Sequence, residues 1–170
     1  MTDGRGTDEL ADFLAQRGDH LMRTAVLLAG SRQAGEDLLQ TAVERLLTRW
    51  PRFDGHPEQY LRKIMANLAT DDRRRRGAWQ RKARLLSAAE QPTADPIAEI
   101  DLRDALVRTL LELPARQRAV LVLRYWEQLS EAEIAGLLGW PEGTVKSAAS
   151  RGLKRLHELA EQWHGDGARI

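Results

Sequence analysis

The sequence predicts an all-α protein: two small helical domains joined by a flexible linker. Three observations carry that reading. Apolar residues recur at helical spacing through most of the chain, with no strand-like alternation longer than a few residues and no internal repeat at a fixed period. Over residues 87–97 the composition shifts to Ala, Gln, Pro, Thr and Asp, where Pro92 and Pro96 prevent a regular helix and mark a linker. Residues 113–156 read as helix, short helix, tight turn, helix. The units on either side, 8–84 and 99–160, are each large enough to fold around a core of their own.

In the first unit, a helix over residues 8–29 places Leu10, Phe13, Leu14, Leu21, Ala25 and Leu28 on one side. Gly18 interrupts it and marks the place for a kink, and Gly30 and Ser31 close it. A second helix over 34–50 repeats apolar pairs at Leu38-Leu39, Ala42-Val43 and Leu46-Leu47, with Trp50 one step beyond. Its other side carries Glu36, Asp37, Gln40, Thr41, Glu44, Arg45 and Thr48, which periodicity alone reads as a solvated back. Pro51, Asp54, Gly55 and Pro57 then make a loop around Phe53. The third helix, over 58–76, has Tyr60, Leu61, Ile64, Met65, Leu68 and Ala69 as its apolar face. It ends in Arg73, Arg74, Arg75 and Arg76, followed by Trp79, Arg81, Lys82 and Arg84. Such a run is usually a solvated helix end, but cations interleaved with an aromatic ring suit a surface that tracks single-stranded nucleic acid and stacks its bases.

The second unit starts with Leu102, Leu106, Leu110 and Leu113 at helical spacing over 99–113, and Pro114 begins a helix over 115–126. Ser130 followed by Glu133 is a capping box that starts a short helix over 131–138, whose stripe is Ile134, Leu137 and Leu138. Gly139 ends it and Pro141 opens the next helix. Helices joined so tightly cross steeply, as in a helix-turn-helix. At about 100° per residue, Val145, Ala148, Ala149, Gly152, Leu153 and Leu156 share one arc, while Lys146, Ser147, Ser150, Arg151, Lys154 and Arg155 fill the other. A lone basic helix is most often a solvated surface. Preceded by a capped helix and a tight turn, it has what a helix in the major groove needs: cations for guanine edges and phosphates, and hydroxyls for shorter bonds. The tail after Trp163 is expected to be loose.

The chain of 170 residues has a net charge of +1, so it is no general polycation. The charge is nevertheless uneven: ten Lys and Arg against four acids over 51–86, but two against six over 87–112. There is no cysteine, which excludes disulfides, thiolate metal sites and cysteine nucleophiles. His20, His56, His157 and His164 are too scattered for a metal-ligand spacing, and no pair of carboxylates stands in an acid-base or phosphate-loop motif. The chain is therefore expected to be no enzyme and to use no cofactor or small-molecule substrate. Neither a secretion signal nor an apolar run of about 18 residues is present, so a cytoplasmic protein without a membrane span is expected.

Four motifs in combination resemble the sigma factors of bacterial RNA polymerase, specifically the small extracytoplasmic-function group. Gly35-Glu36-Asp37-Leu38-Leu39-Gln40 is similar to the A-E-D-L-V-Q segment of region 2.2. Tyr60 to Ala69, YLRKIMANLA, is similar to the W-L-x-R-I-A-x-N-x-A segment of regions 2.3 and 2.4. Leu113-Pro114-Ala115-Arg116-Gln117-Arg118 resembles the L-P-x-x-x-R start of region 4, and Gly143-Thr144-Val145-Lys146-Ser147 resembles its recognition-helix start. Residues 21–30 with Gln40-Thr41-Ala42 lean towards the actinobacterial SigE-like subgroup.

The resemblance implies region 2 over 8–84, a linker over 85–98 and region 4 over 99–160. It implies that Asp37, Gln40, Thr41 and Glu44 contact the β′ coiled coil of core RNA polymerase, and that region 4 meets the β flap. Phe53, Asn67, Arg73, Arg74 and Trp79 would serve the promoter minus-10 element, where an aromatic and amide pocket offsets part of the unstacking cost of a flipped base. Thr144, Lys146, Ser147, Ser150, Arg151 and Lys154 would read the minus-35 element. Promoter DNA and an anti-sigma factor are the further partners implied. Thr41 stands where many relatives have an acid, and Ala148 where arginine is frequent, so the promoter sequence cannot be copied from a relative. The alternative is a stand-alone helix-turn-helix regulator that dimerises on a palindromic operator. It accounts for residues 113–156 equally well, but not for the basic, aromatic-bearing stretch after Phe53.

Overall fold

The computed structural model describes residues 4–71 and 105–166, and among these it is helical with no strand. Helix α1, Gly4–Ala29, runs unbroken through Gly18, beside which a Cβ would meet nothing. A surface glycine lowers helix propensity without bending a helix that packing on both sides holds straight. Gly30, at φ +88°, turns the chain back and Ser31 caps α2, Arg32–Arg49, by accepting from the Ala34 N–H. At the crossing of α1 and α2, a Cβ on Gly35 would lie 2.8 Å from the Val26 backbone, so glycine sets the approach of the two helices.

A short 3-10 turn, Trp50–Arg52, leads through Phe53 to α3, Pro57–Thr70. This helix, expected over 58–76, ends at Thr70, because Asp71 is already extended; residues 72–76 lie outside the described residues. Two successive acids at a helix C-terminus oppose the dipole, which weakens continuation there. Leu21, Leu28, Leu38, Leu46, Leu61 and Met65 form the middle of the first unit. Of the apolar pairs expected in α2, Leu38, Ala42 and Leu46 are buried, whereas Leu47 is exposed.

In the second unit, α4 (Ala105–Leu111) and α5 (Ala115–Leu121) meet at a turn closed by Arg118. Its buried guanidinium donates to the carbonyls of Leu111 and Leu113, and across the units to that of Leu28. The helix expected to continue to Trp126 instead widens into a π turn over Val122–Trp126, with the Glu127 N–H reaching the Val122 carbonyl. Helix α6, Glu131–Leu138, has the full capping box at Ser130 and Glu133 and ends at Gly139 in the left-handed region. Helix α7, Glu142–Asp166, starts one residue after Pro141, whose carbonyl accepts from Thr144 and Val145. It extends past Trp163, where a loose tail was expected.

The two units pack on one another. α5 lies against both α1 and α3, and α6 against α3, so that Ala119, Val120, Leu123 and Ile134 continue the core begun by Leu28, Leu61 and Met65. The expected linker, 85–98, lies outside the described residues.

Candidate nucleic-acid interface

Helix α7 separates its faces as the projection requires. Val145, Ala149 and Gly152 are buried, the last with Leu121 so close that a Cβ would come within 3.1 Å of it. Thr144, Lys146, Ser147, Ser150, Arg151 and Lys154 are all exposed. The helix is held from below by α5 and α6 and presents a polar ridge with three cations and three hydroxyls. The capping box anchors its neighbour: the Glu133 carboxylate accepts from the Ser130 backbone N–H, which holds it below the usual glutamate range. At the end of α6, the Arg116 guanidinium lies 4.2 Å from the centre of the Trp140 ring and pins the turn.

A second surface lies between α2 and α3. A cavity of about 610 Å3 is lined by Arg45, Thr48, Arg49, Tyr60, Lys63, Ile64 and Asn67. Arg45 and Arg49 are one turn apart on α2, and Lys63 and Asn67 one turn apart on α3, so both pairs face the same space. Phe53 is not in the lining. It stacks on Trp50 (5.9 Å between centroids) and meets Tyr60 edge-on at 5.2 Å, while the Trp50 indole N–H donates to the Gly6 carbonyl. Phe53 thereby braces the ring that does line the cavity. Cations beside an aromatic face and an amide can hold a phosphate and a base together. Sequence reasoning missed Arg45, Arg49, Tyr60 and Lys63 here; their one-turn spacings were the available signal. Arg73, Arg74 and Trp79 lie outside the described residues.

The outer side of α2 presents Asp37, Gln40 and Glu44 to solvent, with Thr41 half-buried. Gln40 donates to Glu44 (3.1 Å) and the Thr41 hydroxyl to the Asp37 carbonyl (2.8 Å), so the strip is ordered before anything binds. Exposed Leu47 extends it by one turn.

A third cluster joins the units and was not foreseen. The Glu127 carboxylate, on the second unit, has a side chain only 3% exposed. Its Oε1 accepts from the Thr24 hydroxyl and lies 3.0 Å from His20 Nε2. Its Oε2 accepts from Arg62 Nε at 2.9 Å. Trp126 stacks on His20 and donates to Thr24. Beyond it, Arg17 grips Glu58 with two bonds of 3.1 and 2.7 Å, and that fork holds the Glu58 carboxyl below its ordinary 4.5. Asn67, from the cavity, donates both to the Lys63 carbonyl (2.8 Å) and to the Leu137 carbonyl on α6 (3.1 Å).

The family described as sigma-70 region 2 matches residues 13–78, and that described as sigma-70, region 4 matches residues 103–156. The chain belongs to the sigma-70 family of RNA polymerase sigma factors. Within that family this sigma factor falls in the extracytoplasmic-function group, on the actinobacterial SigE-like side. The RNA polymerase sigma-E factor of Streptomyces coelicolor is 37% identical to it over 157 residues, covering 88% of this chain and 85% of the relative. That of Streptomyces avermitilis is 37% identical over 166 residues, covering 90% and 86%. Its fold is shared by the sigma factor RpoE of Bartonella quintana, solved in complex with the anti-sigma factor NepR, at a TM-score of 0.65 and 24% identity, with 90% of this chain and 97% of that one covered. Sigma factors are non-catalytic subunits that direct RNA polymerase to promoters, and this one does the same. No helix among the described residues is long and apolar enough to cross a membrane.

Proposed function

We propose that the two units divide promoter recognition between them, the first (8–84) gripping core polymerase and the minus-10 strand, the second (99–160) reading the minus-35 duplex. The observation that carries this reading is the face separation of α7, whose apolar stripe is spent on packing while Thr144, Lys146, Ser147, Ser150, Arg151 and Lys154 are left outward. Asp37, Gln40, Thr41 and Glu44, with Leu47 added, dock on the β′ coiled coil, and region 4 meets the β flap. Asn67, with Arg45, Arg49, Tyr60 and Lys63 now beside it, takes a flipped minus-10 base and its phosphate, with Phe53 behind; Arg73, Arg74 and Trp79 continue along the strand. Each DNA contact is modest, so affinity arises from linking the two through polymerase, which raises the effective concentration of each.

The chain acts in the cytoplasm, where polymerase is, and an anti-sigma factor is a further partner. The similarity in fold to RpoE, crystallised with one, supports that partner. The reading is tested by splitting its two halves. With purified core polymerase on a promoter fragment, Asn67→Ala keeps co-elution with core but loses permanganate-reactive thymines in the opened strand. Loss of co-elution itself would overturn the division of the first unit into docking and melting surfaces.

A further inference from the structure

The cavity between α2 and α3 is assembled from parts that are already held in place. Tyr60, its aromatic wall, is braced by Phe53, edge-on at 5.2 Å, which itself stacks on Trp50. The Arg49 guanidinium lies 5.9 Å from the centre of the same ring, an attraction to the ring that leaves its N–H donors available. Arg45 and Arg49 from α2 and Lys63 from α3 bring three positive charges to a lining that contains no acid. Glu44, the acid beside Arg45, is engaged by the Gln40 amide.

The polar atoms that remain are specific in kind. The Asn67 amide nitrogen donates to the Lys63 carbonyl at 2.8 Å and to the Leu137 carbonyl at 3.1 Å. Both amide hydrogens are thus in use, and the amide oxygen is the atom left for a ligand. The Thr48 hydroxyl donates to the Glu44 carbonyl at 2.9 Å and is likewise left as an acceptor. A bare anion would use the cations and leave Tyr60, Ile64 and both acceptors idle. An uncharged aromatic molecule would leave three cations unmatched. A nucleotide uses all of them.

We propose that this cavity also binds a free nucleoside 5′-phosphate, with the phosphate among Arg45, Arg49 and Lys63, the base on Tyr60, and an exocyclic amine of the base donating to the Asn67 oxygen. The inference rests on the reading of the cavity as the minus-10 site, and extends its ligand from a DNA strand to single nucleotides that compete with that strand. The dimensions suit one unit. At about 610 Å3 the cavity is of the size that holds small ligands. Arg45 and Arg49, like Lys63 and Asn67, are one helical turn apart, so the cations and the amide lie within reach of a single nucleotide. The amine requirement selects adenine and cytosine. Hypoxanthine, an adenine with oxygen in place of the amine, would set one acceptor against another.

The test is an NMR titration of the isotope-labelled full chain with adenosine 5′-monophosphate, inosine 5′-monophosphate, adenosine and inorganic phosphate, following the Asn67 side-chain amide and the Tyr60 backbone amide. Adenosine monophosphate shifts both signals and saturates near or below about 1 mM. Adenosine, phosphate and the inosine nucleotide each bind about tenfold more weakly. Tyr60→Leu removes the stacking face and weakens binding about tenfold. Arg49→Gln, at an exposed position, carries the same expectation and decides the matter if circular dichroism shows Tyr60→Leu unfolded. Phosphate or the inosine nucleotide binding as well as adenosine monophosphate, or no saturable shift at about 10 mM, would overturn the proposal. Permanganate footprinting with core polymerase separates the two readings. Strand opening that depends on Asn67, with no nucleotide shift, sinks the nucleotide inference alone; nucleotide binding, with opening indifferent to Asn67→Ala, sinks the minus-10 assignment.

Discussion

Gly35 shows how much one missing atom can decide. With its Cβ 2.8 Å from the Val26 backbone, Gly35→Ala forces α1 and α2 apart, and urea denaturation should show a loss of about 1–3 kcal/mol. Glu58 carries a pH dependence whose sign is fixed. The hydrogen-bonded fork from Arg17 lowers its pKa from 4.5, so the tie between α1 and α3 is fully present above that value and is lost as pH falls through the lower, folded value. An NMR titration of Arg17→Ala should find Glu58 titrating higher, nearer 4.5. Some residues were legible only in outline. Arg118 was recognised as part of a motif, but its work as a bridge between three carbonyls, one of them Leu28 on the other unit, has no local signature. Thr24, a hydroxyl in the stripe of Leu21, Ala25 and Leu28, was the one available hint that a polar partner would arrive from elsewhere. Glu127 gave no hint, since its partners lie more than sixty residues away.

Elements were the scale at which the sequence spoke most clearly. The capping box, the short α6 and the glycine that ends it follow from local hydrogen bonding, and all three stand as the pattern predicts. Ser130→Ala removes the acceptor for the Glu133 N–H and should lower stability by about 1 kcal/mol in thermal melts. For α7, Lys146→Ala and Arg151→Ala should each weaken minus-35 binding by roughly 1–3 kcal/mol if they reach base edges, with melting unchanged because both are exposed; band shifts of the polymerase complex measure it. Helix ends were read less well. The third helix was expected to run on into its arginines, although Asp71 already leaves it, and periodicity carried α5 smoothly through a π turn. In α5 the apolar spacing continues past the point where the backbone changes, so the pattern alone does not reveal the change, whereas the apolar face of α3 already stops at Ala69, one residue before its end.

At the scale of the whole molecule, composition and the proline-bearing stretch divided the chain into two units without saying how they meet. Their contact is one of charge and shape between distant segments: Glu127 with Arg62 and His20, Asn67 with Leu137, and Val120 and Leu123 joining a core that Leu28 and Met65 begin. Nothing in a helical repeat encodes such a meeting. The most direct measurement is in vitro transcription by purified core polymerase from a related bacterium, with and without this protein, on fragments of its own genomic DNA. New transcripts whose starts share upstream minus-35 and minus-10 motifs, lost with Lys146→Ala combined with Asn67→Ala, are the predicted result. A palindromic footprint formed without polymerase, and no transcripts with it, would contradict the account.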